Sequence, residues 1–368
     1  MGIIRLKVTA LISIYLFFAQ GGLQVAAKQQ CEECHNECQA NRGHVLGYVT
    51  PWNGRGYDVA KAERGRLTHV SPVWYQLKAS SGSPVLLGSH DVDKGWIADV
   101  RGQANQGCQT PKIVPRFVME MHPQQLLEVL TDAKPEAIRL LARECSGQGF
   151  DGLVLEAWSL WHAYGIVQRH FMLIKSFVRD LAKALHTQRG HSDNPLELIL
   201  AVPPVVPAQG HGSPGFTRAH FEQLVKFVDG FSLMTYDWNI GASGPNAPYN
   251  WVEANLKTLL PACLGHSCHK IWLGVNFYGR DFTSQTQEAD VVLGHDYTRI
   301  VEQYQPHLHW HEEYREHVAS YKKDGRQHQM YYPSVEAIQA RLTLAREHSF
   351  GISIWELGQG LDDFMKIF

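Results

Sequence analysis

Eight short apolar runs recur along the chain, each followed by a longer stretch of mixed polarity. They occupy residues 45–50, 67–77, 112–119, 150–158, 196–202, 228–237, 271–278 and 351–356. Each run is close to continuously apolar, as expected of parallel strands covered on both faces. Helical periodicity marks the stretches between them, at 91–105, 123–144, 161–186, 217–227, 246–260 and 334–348. Eight strands alternating with helices over about 320 residues predict an α/β fold, a (β/α)8 TIM barrel over residues 45–368. No phosphate-binding glycine fingerprint follows the first run, which removes the main reason for an open Rossmann sheet. The connection after the seventh run breaks the rhythm. Residues 280–332 carry Tyr297, Tyr304, Trp310, Tyr314, Tyr321, Tyr331 and Tyr332, so they are read as a small α+β insertion on the C-terminal rim.

The N-terminus stands outside that rhythm. Arg5 and Lys7, the apolar residues 8–19 and the small residues Val25-Ala26-Ala27 give residues 1–27 the form of a signal peptide. Its apolar run is too short to span a bilayer, and no later stretch is long and uncharged enough to do so. A secreted chain, with lysosome or late endosome as a further destination, is the expectation. Residues 28–44 hold Cys31, Cys34 and Cys38; a partly disulfide-bonded head is favoured over a zinc site. Cys263 and Cys268 flank a short turn and form a disulfide candidate, while Cys108 and Cys145 read as buried small hydrophobes.

Charge excludes more than it suggests. Lys plus Arg number 34 against 36 Asp plus Glu, with no basic stripe, so nucleic acid is not an expected partner. Twenty histidines are many for this length; ten of them charging would carry the formal charge from −2 to about +8 near pH 5. His307, His309 and His311 alternate in the insertion, where a solvated strand face is favoured over a metal site. No metal and no cofactor are expected.

In a barrel of this class the functional site lies at the C-terminal ends of the strands. Those ends supply Trp52, Trp74, Glu156, Trp158, Tyr236, Asp237, Asn276, Tyr278 and Trp355, with Trp238 and Glu356 beside them. Aromatic faces next to a few acids and amides suit a sugar, whose C–H face stacks on rings while its hydroxyls bond to polar groups. Trp96 and Trp272 are read as core. Glu156 interrupts an apolar strand, so it has either a partner or a job. Two-residue alternation would point Val154, Glu156 and Trp158 to one side.

Three stretches carry a family resemblance. Phe150-Asp151-Gly152-Leu153 is similar to the opening of the strand-four motif Asp-x-x-Asp-x-Asp-x-Glu of the family 18 glycoside hydrolases. Met234-Thr235-Tyr236-Asp237 resembles the family's Met-x-Tyr-Asp at strand six, and Ile354-Trp355-Glu356 resembles its strand-eight tryptophan. The resemblance implies that Tyr236 and Asp237 contact a sugar's acetamido group and that Trp355 floors the sugar site. It also implies a catalytic glutamic acid, and there the chain departs: Val154 and Glu156 replace two aspartates, and Trp158 stands where the acid belongs. Pro115-Arg116-Phe117 replaces the family's Ser-x-Gly-Gly on strand three. An indole cannot protonate a leaving group, and the lost acid is worth about 10²–10⁴-fold in rate.

The expected function is therefore a chitinase-like lectin that binds chitooligosaccharides or other N-acylglucosamine-containing glycans, bacterial glycolipids included, without hydrolysis. Trp52, Trp74, Trp158 and Trp355 are the expected stacking platforms, and Glu156, Tyr236 and Asp237 the polar contacts. A weak hydrolase using Glu156 and a protein–protein module are the alternatives. A sorting or scavenger receptor is a further candidate partner, and a role in innate immunity fits a secreted lectin of this kind.

Overall fold

The computed structural model describes residues 43–80, 82–102, 110–210, 212–239, 243–263, 266–283 and 289–368. Residues 1–27, read above as a signal peptide, and Cys31, Cys34, Cys38 and Cys108 lie outside the described residues. The described chain opens with β1 (Val45–Val49). The second barrel position is built in two pieces, β2 (His69–Pro72) and β3 (Tyr75–Ser80), and β4 (Ser83–Leu87) folds back antiparallel on β3. The third is also split, into β5 (Lys112–Ile113) and β6 (Arg116–Met119). Pro115 stands at that break, where its missing N–H interrupts the ladder. Positions four to seven are β7 (Gly152–Glu156), β8 (Glu197–Val202), β9 (Gly230–Leu233) and β10 (Ile271–Asn276).

An antiparallel sheet then interrupts the alternation: β11 (Gly279–Thr283), β12 (Ala289–Val292), β13 (His307–His311), β14 (Glu316–Lys323) and β15 (Arg326–Tyr331), in the order β12-β11-β15-β14-β13. The last barrel strand, β16 (Gly351–Trp355), pairs in parallel with both β10 and β1. Because β2 pairs with β5 while β3 pairs with β6, the ladder returns to its start and the sheet closes on itself. The chain is a TIM-barrel-like α/β fold.

Helices α1 (Gly54–Ala62), α2 (Lys94–Arg101), α3 (Pro123–Leu130), α4 (Lys134–Gln148), α5 (Trp158–Ala163), α6 (Ile166–His186), α7 (Arg218–Leu224), α8 (Tyr249–Cys263), α9 (Gly294–Tyr304) and α10 (Val335–Glu347) fill the connections. Three of them start on side-chain caps: Asp93, Thr217 and Ser334 each accept from the backbone N–H three residues on. The helical stretch read at 123–144 is two helices, separated at 131–133. Cys263 and Cys268 are joined by a disulfide, and Cys145 is a buried free thiol. No helix of the described residues is long and apolar enough to cross a membrane.

Alternation along the strands divides the core in two. Leu46, Tyr48, Val114, Val154, Ile199, Ala201 and Trp272 fill the barrel interior, with Val73 and Trp355 packed against them. The opposite faces join the helices in a larger outer layer. Trp272 fits inside only because glycines flank it. A Cβ at Gly230 would lie 2.6 Å from its ring, and one at Gly351 2.5 Å away. At the N-terminal end of the barrel His44 and His69 pack on the same indole, and His69 and Lys112 both bond to Glu197.

The antiparallel sheet is anchored to the barrel by one buried cation. Arg341 of α10 bonds to Glu316 of β14 at 3.1 Å and to the carbonyls of Tyr314, Arg315 and Ala247. It therefore ties the insertion to the loop before α8, and so to the loop that leaves β9.

Candidate functional site at the barrel mouth

The central pair of the mouth comes from two neighbouring strands. Arg116 of β6 stands in register with Val154 of β7, which faces the interior. Its long side chain reaches one pleat up and donates from Nε to Glu156 Oε2 at 2.5 Å. Both groups are largely withdrawn from solvent, at 13% and 25% exposure. Glu156 thus has a partner, and the sequence offered the signal: two adjacent apolar strands each carry one charge of opposite sign.

Across the barrel, Trp355 ends β16. Tyr48 packs against its ring at 5.3 Å, tilted 57°, and the Tyr48 hydroxyl donates to Ser232 Oγ at 3.0 Å. The Arg116 guanidinium stands over the same ring, 5.8 Å from its centroid. Burial raises the Tyr48 hydroxyl above its ordinary range and does the same to Tyr236, which lies close to Tyr48, Tyr278, Glu156 and Asp237. Both phenols therefore remain neutral donors at any physiological pH.

Asp237 adopts a left-handed backbone, φ +58°, which is uncommon for a residue with a side chain. Three partners hold it there. Its N–H donates to Asn246 Oδ1 at 2.8 Å, and Oδ1 accepts from both Tyr278 Oη and Arg280 Nη2 at 2.5 Å. Among the described residues both side-chain bonds fall on Oδ1, and the residue is 37% exposed, which leaves Oδ2 to accept from a ligand. Tyr278 and Arg280 come from the junction of β10 with the inserted sheet, so the insertion contributes directly to the mouth.

Five of the nine residues read from the strand ends face this mouth: Glu156, Tyr236, Asp237, Tyr278 and Trp355. Trp52 is 69% exposed on the turn after β1, at the outer rim. Asn276 is buried and spends its amide on the Tyr278 carbonyl at 2.7 Å, so it shapes the turn rather than meeting a ligand. The remaining two are corrections. Trp158 is not a platform. Ala157, with φ −141° and ψ −19°, leaves the extended region, so strand alternation stops at Glu156 and α5 begins. The Trp158 ring turns into the outer layer, 2% exposed, against Phe216, His220 and Trp161, with its N–H on the Gly215 carbonyl. Trp74 is not a platform either. Strand parity places Val73 inside and Trp74 outside, where it packs on Trp96 and donates to the Tyr57 hydroxyl.

Sequence reasoning missed Tyr48, Asn246, Arg280 and Asn53, and it placed Glu356 among the strand ends without its partner Asn53. Glu356 is fully buried behind the floor and follows Trp355 through a cis peptide bond. It accepts from the Asn53 side chain and from the Gly358 N–H at 3.1 Å, which links the loop carrying Trp52 to the end of β16. A Cβ at Gly56 would lie 2.7 Å from its carboxylate, so only glycine lets α1 approach. Burial pushes the Glu356 carboxyl up to about 7.

The histidine expectation narrows. Burial holds His44 near 4, so it does not charge on mild acidification, and burial also lowers His220 and His269, whereas Asp229 raises His186. His307, His309 and His311 do lie on one strand, β13. Among the described residues no three His, Cys, Asp or Glu side chains are grouped to hold a metal ion.

Comparison with known proteins adds the lineage. Residues 125–360 match the model of glycosyl hydrolases family 18. Chitinase C of Streptomyces lividans is 24% identical over 66% of this chain and 44% of its own length; Chitinase 63 of Streptomyces plicatus is 25% identical over 66% and 45%. The match therefore spans less than half the length of these two relatives. Among solved structures, a chitinase from Chromobacterium violaceum superposes with a TM-score of 0.72 at 19% identity, covering 88% of this chain and 97% of that one. A class V chitinase mutant from Cycas revoluta, solved in complex with (GlcNAc)3, superposes with a TM-score of 0.64 at 14% identity over 88% and 98%.

Two outcomes follow from this geometry. The folded state keeps the Glu356 proton up to about pH 7, whereas the unfolded chain releases it near 4.5. Stability from this group is thus fully present below 4.5 and lost as pH rises to 7, on the order of 3 kcal/mol. Denaturant unfolding between pH 4.5 and 7.5 should show that decline in the wild type and a flatter profile in Glu356→Gln. Separately, Trp158→Glu should not create a hydrolase. It places a carboxylate in a sealed aromatic cluster, and the expected result is a loss of roughly 3–5 kcal/mol in unfolding free energy with no gain in turnover.

Proposed function

The chain belongs to glycosyl hydrolase family 18, and from that membership we propose a chitinase-like lectin: a protein that binds oligosaccharides rich in 2-acylamido sugars and does not cleave them. One observation carries the reading. The position of the family's catalytic acid is taken by Trp158, whose ring lies in the helix layer, and the nearest carboxylate on that strand, Glu156, is bound to Arg116. What remains at the mouth is a binding surface. Trp355 supplies a ring face, Tyr236 a neutral hydroxyl, and Asp237 a positioned acceptor for an amide N–H. Trp52 adds a second exposed ring at the rim.

The ligand class rests on the family and on the chemistry of these groups. Chitooligosaccharides are the first candidates, followed by other N-acylglucosamine glycans and by glycolipids that present such sugars. Secretion, with late endosome or lysosome as a further location, is proposed from the leader alone. A sorting or scavenger receptor is proposed as the partner that would direct such a protein. The motifs around Pro51, Tyr236 and Trp355 resemble those of chitinase domain-containing protein 1, a chitinase-like protein, which is consistent with a non-hydrolytic role.

A weak hydrolase using Glu156 is the second reading, favoured only by the presence of a carboxylate on β7. Its side chain lies one pleat below the family's acid, roughly 6–7 Å short of it along the strand.

Binding at the mouth is tested by Trp355→Ala. Loss of the ring should weaken chitotetraose binding tenfold or more, about 1.4 kcal/mol, with the melting transition retained. Calorimetric titration of both proteins gives the answer. Unchanged affinity in a folded variant would move the site away from the barrel.

A further inference from the structure

The lectin reading uses the ring of Trp355 but gives no role to the guanidinium that stands over it. We propose that Arg116 is a gate on this platform: it covers the ring face in the free protein and must swing aside before a sugar can stack there. The inference rests on the mouth being the saccharide site and adds what limits its affinity and selectivity.

The geometry makes Arg116 a competitor rather than part of the wall. It leaves the third barrel position and crosses toward the eighth, ending 5.8 Å from the Trp355 centroid. A ring face attracts a cation and a sugar C–H face by the same negative quadrupole, and one face cannot hold both. Tyr48 is the other neighbour of the indole, packed at 5.3 Å and anchored through Ser232. The ring is therefore fixed, and the arginine is the partner able to move. The hydrogen bond from Nε to Glu156 Oε2 sets its closed position.

Glu156 thereby acquires a part different from proton transfer. It is the tether that holds the guanidinium over the platform, so it acts through Arg116 as a positioning residue. Where the binding-competent conformer is a minor one, apparent affinity falls in proportion to its population. A ligand that stacks on Trp355 bears that cost, and one that touches only the rim does not. The gate thus weakens every ligand that stacks on Trp355 by the same factor and leaves rim-only ligands unaffected.

The test compares Arg116→Ala/Glu156→Gln with the wild type, in which the tether is intact, so that neither protein carries an unpaired charge of the pair. Chitotetraose is titrated into both, and Trp355→Ala in the Arg116→Ala/Glu156→Gln background marks the site. Thermal melts establish that each variant is folded. The expected result is about tenfold tighter binding when Arg116 is removed, a gain that structural damage does not produce. Loss of affinity would make Arg116 a ligand contact and overturn the gate, as would an unchanged affinity. If Trp355→Ala has no effect in this background, the saccharide site itself is elsewhere and both readings fall. If Trp355→Ala weakens binding while removal of Arg116 does not tighten it, only the gate falls.

Discussion

The ion pair between Arg116 and Glu156 decides what the barrel mouth can do. Each side chain alone would be a charge inside an apolar wall, and removing one partner of such a pair costs about 3–5 kcal/mol because the other is left uncompensated. Together they fill the centre of the mouth, between the third and fourth barrel positions on one side and Trp355 on the other. The carboxylate of β7 is thereby committed to a cation. The cation in turn is committed to the ring that would floor the sugar.

Around that pair the supporting residues hold shape rather than move protons. Tyr48 and Ser232 fix the indole from inside the barrel, Asn246, Tyr278 and Arg280 fix Asp237, and Asn53 with Glu356 fixes the loop that carries Trp52. Arg280 starts the inserted sheet, and Arg341 ties that sheet back to the loop before α8. The insertion is thus continuous with the mouth through β11.

Much of the fold was legible because apolar runs and helical periods are dictated by the barrel itself. The eight strand positions, the inserted sheet and the core roles of Trp96 and Trp272 follow from pattern. The site was less legible, for reasons of backbone geometry. Alternation predicts a side chain's direction only while the chain stays extended, and Ala157 ends that regime one residue before Trp158. Trp74 was misplaced because the second barrel position breaks into two strands around it. Arg116 was visible as a charge in an apolar run, yet its partner is forty residues away, and only the strand order brings them together. The burial of Glu356 was hidden because nothing in its local sequence says that Asn53 and Gly56 will enclose it.

On the proposed reading, this barrel keeps a family 18 binding mouth and has lost the acid that would make it cut. Native mass spectrometry of the protein incubated for hours with chitotetraose tests both halves in one spectrum. The predicted result is a persistent complex whose bound mass remains that of the intact tetrasaccharide. Bound or released di- and monosaccharides accumulating with time would show that another group supplies the proton, and the absence of any complex would remove the lectin reading.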